Sequence, residues 1–363
     1  MPYEIDFIGI NESSKDATAI AMRWKKSGNG YIVGIVDGGF QAHGEAMVNL
    51  LNTYYFADEE KKVIDFVICS HPHDDHIQGL KTVLENFTVK ALYMNRPWKH
   101  IEKLCPYVRH HNMSPKELEN HLRKNYASLA DIEAMALEKN VQIHDIFQGM
   151  VIANRLVILS PSKAFYLEQL IESDKTPLKN DKSSLELVIE AAQKVTNKLQ
   201  ETWTKEALRE EVETEPDNET STVIMGRMEE ETFLLTGDVG IKGLREAINY
   251  ADSCDTSLRD AVSVYEIPHH GGRHNVSPSI LNVLLGEIVE EGVKTGKEAF
   301  TCTGKGSDHP LQMVVNAFQR RGVKVYKAAG NTVRHHRGNM PNRGWAKVNE
   351  IPFHPWVEEW EDG

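Results

Sequence analysis

The stretch His71-Pro72-His73-Asp74-Asp75-His76 decides how the chain is read. It follows an apolar run over 63–69, Val-Ile-Asp-Phe-Val-Ile-Cys. The β-branched and aromatic content of that run predicts a buried strand, so the motif lies where the strand ends. Side chains two apart on extended backbone share a side, which lets His71, His73 and Asp75 converge while His76 turns away as a helix begins. Ile77, Leu80, Val83, Leu84 and Phe87 recur at helical spacing and predict that helix. Asp74 and Asp75 fall in its first turn, where carboxylates are favoured. His71 and His73 suit one borderline-soft divalent ion, and Asp75 with His76 a neighbouring one, as in a two-metal hydrolytic site. Three histidines and two aspartates in six residues are too dense a set for an ordinary polar loop.

Other predicted strands end in the same way. The run 31–36 closes on Asp37-Gly38-Gly39, an acid followed by two permissive glycines. The run 232–236 closes on Gly237-Asp238, where backbone can approach a metal and the carboxylate can bridge two ions. The run 262–267 closes on Pro268-His269-His270-Gly271-Gly272. Ligand-type residues at several strand ends make a constellation rather than a coincidence.

Around these points the chain reads as alternating α/β. Runs 4–10, 18–24 and 31–36 form an antiparallel meander, and a helix over 44–55 follows. A strand over 90–94 leads into a mostly helical region whose clearest start is the capping box Ser114-Pro115-Lys116-Glu117. Strands over 141–146 and 156–159 come next; His110, His111, His121 and His144 in this region have no partner spacing and read as ordinary residues. Strands resume at 221–228, and the chain closes with helix 277–291, strand 299–303, helix 311–321 and strand 324–327. The whole of 1–363 is expected to be one domain, with 163–216 a helical insertion and 345–363 an acidic, tryptophan-bearing tail for docking or solvation. Within the insertion, Leu185, Val188, Ile189, Ala192, Val195, Leu199 and Trp203 keep helical spacing, an apolar stripe that packs on the parent domain or meets a protein partner.

The formal charge of −12 repels polyanions at long range and excludes nonspecific coating of nucleic acid, though not a locally docked anion. Four cysteines without a C-x-x-C pair argue against a disulfide framework or thiolate zinc site and for a reducing, cytoplasmic home. No leader-like start or membrane-length apolar span is present, so no membrane partner is expected.

Taken together, these residues resemble the metallo-β-lactamase superfamily. His71, His73, Asp75 and His76 match its H-x-H-x-D-H signature, Asp37 its early aspartate, Asp238 its bridging aspartate and His270 its late histidine. The resemblance is nearest to the cytoplasmic metallohydrolase domain of ComEC/Rec2 DNA-uptake proteins. It is carried by Leu234-Leu235-Thr236-Gly237-Asp238, Pro268-His269-His270-Gly271 with Ser277, residues 218–221, and His309-Pro310. It implies an αββα sandwich with two mixed sheets. It further implies two divalent ions, Zn or Mn, held by His71, His73, Asp75, His76, Asp238 and His270, with Asp37 and His269 supporting them. Asp75 and His309 are the candidate catalytic residues. The implied activity is that of a phosphodiesterase or nuclease acting on nucleic acid or a nucleotide. Thioester or lactone hydrolysis at the same site, or a regulatory protein with a weakened site, are the alternatives. One departure stands out: where the superfamily has a third-motif histidine, this chain reads Leu159-Ser160-Pro161-Ser162. The first metal site is then one protein ligand short, as in the ComEC-type relatives, which implies a weaker, exchangeable or Mn-like first ion.

Overall fold

Strand Tyr3–Phe7 shows how the layers arise. Its side chains alternate, Tyr3, Ile5 and Phe7 entering one apolar core while Glu4 and Asp6 face the other way, and all five are buried. Carboxylates buried this deeply require partners. Arg23 reaches Glu4 at 2.5 Å, and Arg343 binds Asp6 at 2.8 and 3.0 Å. The computed structural model describes residues 1–11, 15–57, 59–108, 113–177 and 198–360.

The first of two seven-stranded sheets has the order Val333–Arg337, Tyr3–Phe7, Ala19–Lys25, Tyr31–Gly38, Phe66–Ile68, Ala91–Tyr93, Gln142–His144. Its first three pairings are antiparallel and the rest parallel. The second sheet mirrors it. Parallel strands Lys324–Ala328, Glu298–Cys302, Val264–Glu266 and Thr232–Leu235 pass into antiparallel Val223–Arg227, Leu156–Ser160 and Val151–Ile152. One apolar core lies between the sheets, and one lies outside each sheet beneath its helices. This is the αββα sandwich with two mixed sheets.

Several boundaries differ from the sequence reading for identifiable reasons. The run 63–69 is two pieces, Val63–Ile64 paired with Thr88–Val89 and Phe66–Ile68 in the main sheet. Between them Asp65 turns aside to accept a hydrogen bond from the Val33 N–H at 2.9 Å. The helix Gln41–Leu50 starts earlier than expected and runs on as a π-turn over Leu51–Tyr55. The helix expected over 277–291 stops at Leu285, because Gly286 with φ 107° leaves helical space. The strand Val333–Arg337, hidden by its basic and histidine content, is not among the expected elements, and neither is the helix Ile241–Ser253, although Ile241, Leu244, Ile248 and Ala251 keep helical spacing.

Of the stripe expected in the insertion, residues 178–197 lie outside the described residues, and so do His110 and His111. The described end of the stripe is not helical. Lys198–Gln200 is a strand paired antiparallel with Trp356–Glu358, so the insertion's end and the tail form a ribbon together. Pairing with a distant strand overrides local spacing here. Val357 of the tail is fully buried, so that segment is built into the domain rather than left in solvent. Next to the ribbon, Arg320 donates to Glu201 at 3.0 Å, both side chains fully buried. Removing one partner of such a pair leaves an uncompensated charge. Glu201→Ala is therefore expected to destabilise the fold by about 3–5 kcal/mol, read from urea unfolding; a loss under 1 kcal/mol would show that the pair is solvated.

Candidate metal centre

The clustered side chains all leave the ends of strands at one edge of the sandwich. Ser70 and His71 follow Phe66–Ile68, Asp37 closes Tyr31–Gly38, Asp238 follows Thr232–Leu235, and His270 follows Val264–Glu266. The helix Asp74–Asn86 carries Asp75 and His76 and is drawn in by a glycine contact. A Cβ at Gly79 would lie 2.0 Å from the Gly38 carbonyl oxygen and 2.8 Å from the Gly44 nitrogen, so only glycine permits this approach. Gly237, at φ 52°, turns the chain so that Asp238 faces inward.

Asp37 is the organiser. Its carboxylate accepts from Ser70 N at 2.8 Å, from Ser70 Oγ at 2.5 Å and from His76 Nδ1 at 2.7 Å. Because the Ser70 hydroxyl donates to Asp37, it accepts from His71 Nδ1 at 3.0 Å. His270 Nδ1 donates to the Cys302 carbonyl at 2.9 Å. With each Nδ1 so committed, His71, His76 and His270 all present Nε2 inward, the arrangement that outer hydrogen bonds impose on ligating imidazoles.

What they face is Asp238. Its oxygens lie 3.1 Å from His76 Nε2, 3.7 Å from His71 Nε2 and 4.0 Å from His270 Nε2. Asp75 lies 3.3 Å from His270 Nε2 and is the more open carboxylate, its side chain 26% exposed. Ligand atoms of Asp75, His76, Asp238 and His270 all fall within 4.8 Å of one another. Asp37, His71 and His76 form a second such group, but the hydrogen bonds just described already engage Asp37, which makes it a support rather than a donor.

Burial pushes the His76 imidazole down, yet the Asp238 and Asp37 carboxylates outweigh it and hold it well above the usual range. Burial likewise opposes charge on His270, and Asp238 and Asp75 overcome it, raising it to about 9. Burial and the neighbouring His76 push His71 down. Desolvation favours protonation of Asp238, but the surrounding His76, His269 and His270 keep it well below the ordinary carboxylate range. Glu266, buried behind the turn, is pushed up to about 7 although it accepts from Gly237 N and Thr236 N.

These residues fit a divalent cation. His71 Nε2, His76 Nε2 and both Asp238 oxygens are buried without a hydrogen-bond partner among the described residues, a cost that a coordinating ion removes. Donor atoms around an ion bonded at about 2.1 Å sit roughly 3 to 3.5 Å apart, close to the spacing found here.

The other expected residues fall around this group. His73 stands apart from the four-residue set, its ring 4.8 Å from that of His71, and its Nε2 faces Asp217 at 3.8 Å. His269 Nε2 is 3.7 Å from Asp238, and its Nδ1 contacts Asn275 Oδ1 at 2.8 Å, while Asn275 also donates to the Asp238 carbonyl. His309 Nδ1 is 2.8 Å from Asp16 Oδ2. Asp16 also accepts from Gly304 N and Ser307 Oγ, each at 2.8 Å.

Sequence reading missed Asp16 and Asp217. Asp217 is buried near His73 and held by Tyr126 at 2.9 Å and Lys175 at 2.7 Å; its only signal was its place just before the 218–221 stretch. Asp16 had no signal, since a loop aspartate is ordinary until the chain brings His309 to it. At the third-motif position, Ser160 Oγ donates to Glu246 at 2.8 Å.

A family model described as the metallo-beta-lactamase superfamily matches residues 24–105, and with the layered sheets it gives the chain that superfamily's fold. No curated protein matches the chain. Among solved structures, a diphosphatase from the PhnP family is 11% identical, covering 93% of this chain and 98% of that one at a TM-score of 0.39. A metal-dependent hydrolase of the beta-lactamase superfamily is 12% identical, covering 93% and 100% at 0.43. AidC, a dizinc quorum-quenching lactonase, is 12% identical, covering 67% and 69% at 0.31. Among the described residues, no helix is long and apolar enough to cross a membrane.

Proposed function

We propose that this chain, built on the metallo-β-lactamase superfamily fold, is a metal-dependent hydrolase of phosphodiesters, a nuclease or phosphodiesterase. The observation that carries the reading is the group Asp75, His76, Asp238 and His270, the last three buried, with imidazole Nε2 atoms aimed at a carboxylate that accepts no hydrogen bond among the described residues. Those four residues with His71 and His73 would hold two divalent ions, Zn or Mn. When bound, such ions supply Lewis acidity and offset the charge that develops at phosphorus.

The chain's own residues divide the remaining tasks. Asp37 fixes the His76 ring directly and the His71 ring through Ser70, so the donors are set before substrate arrives. Asp75, the carboxylate open to solvent, orients the attacking water by accepting its hydrogen bond. His269 and Asn275 hold the Asp238 turn. His309, carried beside His270 by the contact of Leu311 N with the Gly271 carbonyl at 3.1 Å, protonates the leaving oxygen. The likeness of the motifs to the ComEC/Rec2 metallohydrolase domain supports a phosphodiester rather than a lactone.

The test is hydrolysis of bis(p-nitrophenyl) phosphate and of a short oligodeoxynucleotide by protein loaded with Mn or Zn, against the chelated protein and a homoserine lactone. Metal-dependent release from the phosphodiesters is expected. Lactone opening without phosphodiester cleavage would overturn the reading.

A further inference from the structure

We propose that a cavity beside the cluster, walled by the insertion's end and the tail, is a nucleotide subsite on the leaving-group side of the scissile phosphate; this rests on the phosphodiesterase reading. The cavity has a volume of about 320 Å³, and Lys198, Lys327, His309, His354 and Trp356 are among its lining residues. That volume suits one nucleotide, at the small end of ligand pockets.

The chain carries −12 overall, yet two lysines, Lys198 and Lys327, line this one cavity. Neither Lys198 nor Lys327 is paired with a carboxylate among the described residues. The nearby Glu358 is committed elsewhere, accepting from Gln312 N at 2.9 Å and Met313 N at 3.2 Å at the start of a helix. Asp308 also lines the wall and has no partner among the described residues. A wall that carries Lys198 and Lys327 beside the carboxylates of Asp308 and Glu358 suits a ligand that offers hydroxyl and amino donors as well as phosphate, which describes a nucleotide better than a bare anion. Trp356, 47% exposed, gives a face on which a base can stack.

The cavity also lies beside the cluster. His309 lines this cavity, while its neighbour Pro310 lies against Gly271, where an added Cβ would sit 2.3 Å from the Pro310 Cβ. Gly271 directly follows His270. Lys327 lies on the strand paired with Glu298–Cys302, opposite Thr301, and the next residue, Cys302, anchors His270. The cavity thus adjoins the cluster on the side where His309 stands. Its wall includes the ribbon Lys198–Gln200 with Trp356–Glu358, which lies outside both large sheets, so it elaborates the sandwich and its role is selection of substrate rather than bond cleavage.

The test compares wild type with Lys198→Ala/Lys327→Ala, both metal-loaded, on a short oligodeoxynucleotide and on bis(p-nitrophenyl) phosphate, which has no second phosphate or sugar for the lysines to hold. We expect KM for the oligonucleotide to rise about tenfold or more and to become less sensitive to salt, with kcat and the small-substrate rate within about twofold. Trp356→Ala should raise the same KM. An unchanged oligonucleotide KM with intact small-substrate hydrolysis overturns the subsite and leaves the hydrolase reading standing. If wild type cleaves no phosphodiester, the phosphodiesterase reading fails and calorimetry with adenosine 5′-monophosphate decides on nucleotide binding in the cavity: weakened binding in the double variant supports it, and equal binding overturns it.

Discussion

In Asp238→Asn, hydrolysis is expected to fall to background and bound metal to drop below that of wild type after dialysis against trace metal. The substitution keeps the shape and the backbone N–H that donates to Ser221 Oγ at 3.1 Å, so the turn persists and circular dichroism should match wild type. The charge disappears. Asp238 lies within 4.0 Å of four imidazoles, His71, His76, His269 and His270, and its two oxygens accept no hydrogen bond among the described residues. An amide there offers one oxygen without charge and turns N–H donors toward Nε2 atoms that should face a cation. Changing a group that only supports a ligand already costs about 10–100-fold in metal affinity, and loss of the central carboxylate should cost at least as much. Metal analysis by mass spectrometry and the phosphodiester assay read the two effects separately. A variant with full metal and full rate would sink the proposed two-ion site.

The legible part of this molecule was what local chemistry writes into short stretches. The motif 71–76, the turns at Asp37 and Asp238 and the pair His269-His270 stand where strands stop, and the strand periodicity around them is strong enough to read. The capping box at Ser114 is formed as expected, with Glu117 reaching back to the Ser114 N–H at 2.7 Å. What could not be read depends on distance along the chain. His73 lies beside His71 as its spacing predicts, but the buried Asp217 that faces its Nε2 at 3.8 Å comes from a distant stretch and could not be paired with it from the sequence. The end of the insertion stripe became a strand because the tail, more than 150 residues later, supplied a partner edge. Glu4 and Asp6 look like the polar face of an exposed strand. They are buried because Arg23, Arg334 and Arg343 arrive from other elements.

The other large effect is expected at His309, where Ala should keep metal occupancy and lower kcat on an oligonucleotide by roughly 10²-fold or more, the scale of a lost general acid. Cleavage of a phosphodiester expels an alkoxide, a poor leaving group until it is protonated, and imidazole is the side chain whose ordinary titration lies near neutrality. Asp16 makes this histidine usable. Its Oδ2 accepts from Nδ1 at 2.8 Å, which leaves Nε2 to meet the substrate, and its bonds to Gly304 N and Ser307 Oγ prevent the carboxylate from swinging away. The Ser307 hydroxyl also accepts from the His309 N–H at 3.0 Å, so loop and ring are fixed together. Asp16 is thus a positioning residue, and Asp16→Asn should lower the same rate by a smaller factor without changing metal content. The leaving group separates chemistry from structure. On bis(p-nitrophenyl) phosphate, whose nitrophenolate departs without a proton, both variants should approach the wild-type rate. Equal losses on the two substrates would make His309 a binding residue, and loss of metal in His309→Ala would make it a ligand; either result removes the proton-donor role and leaves the developing alkoxide to be stabilised by charge alone.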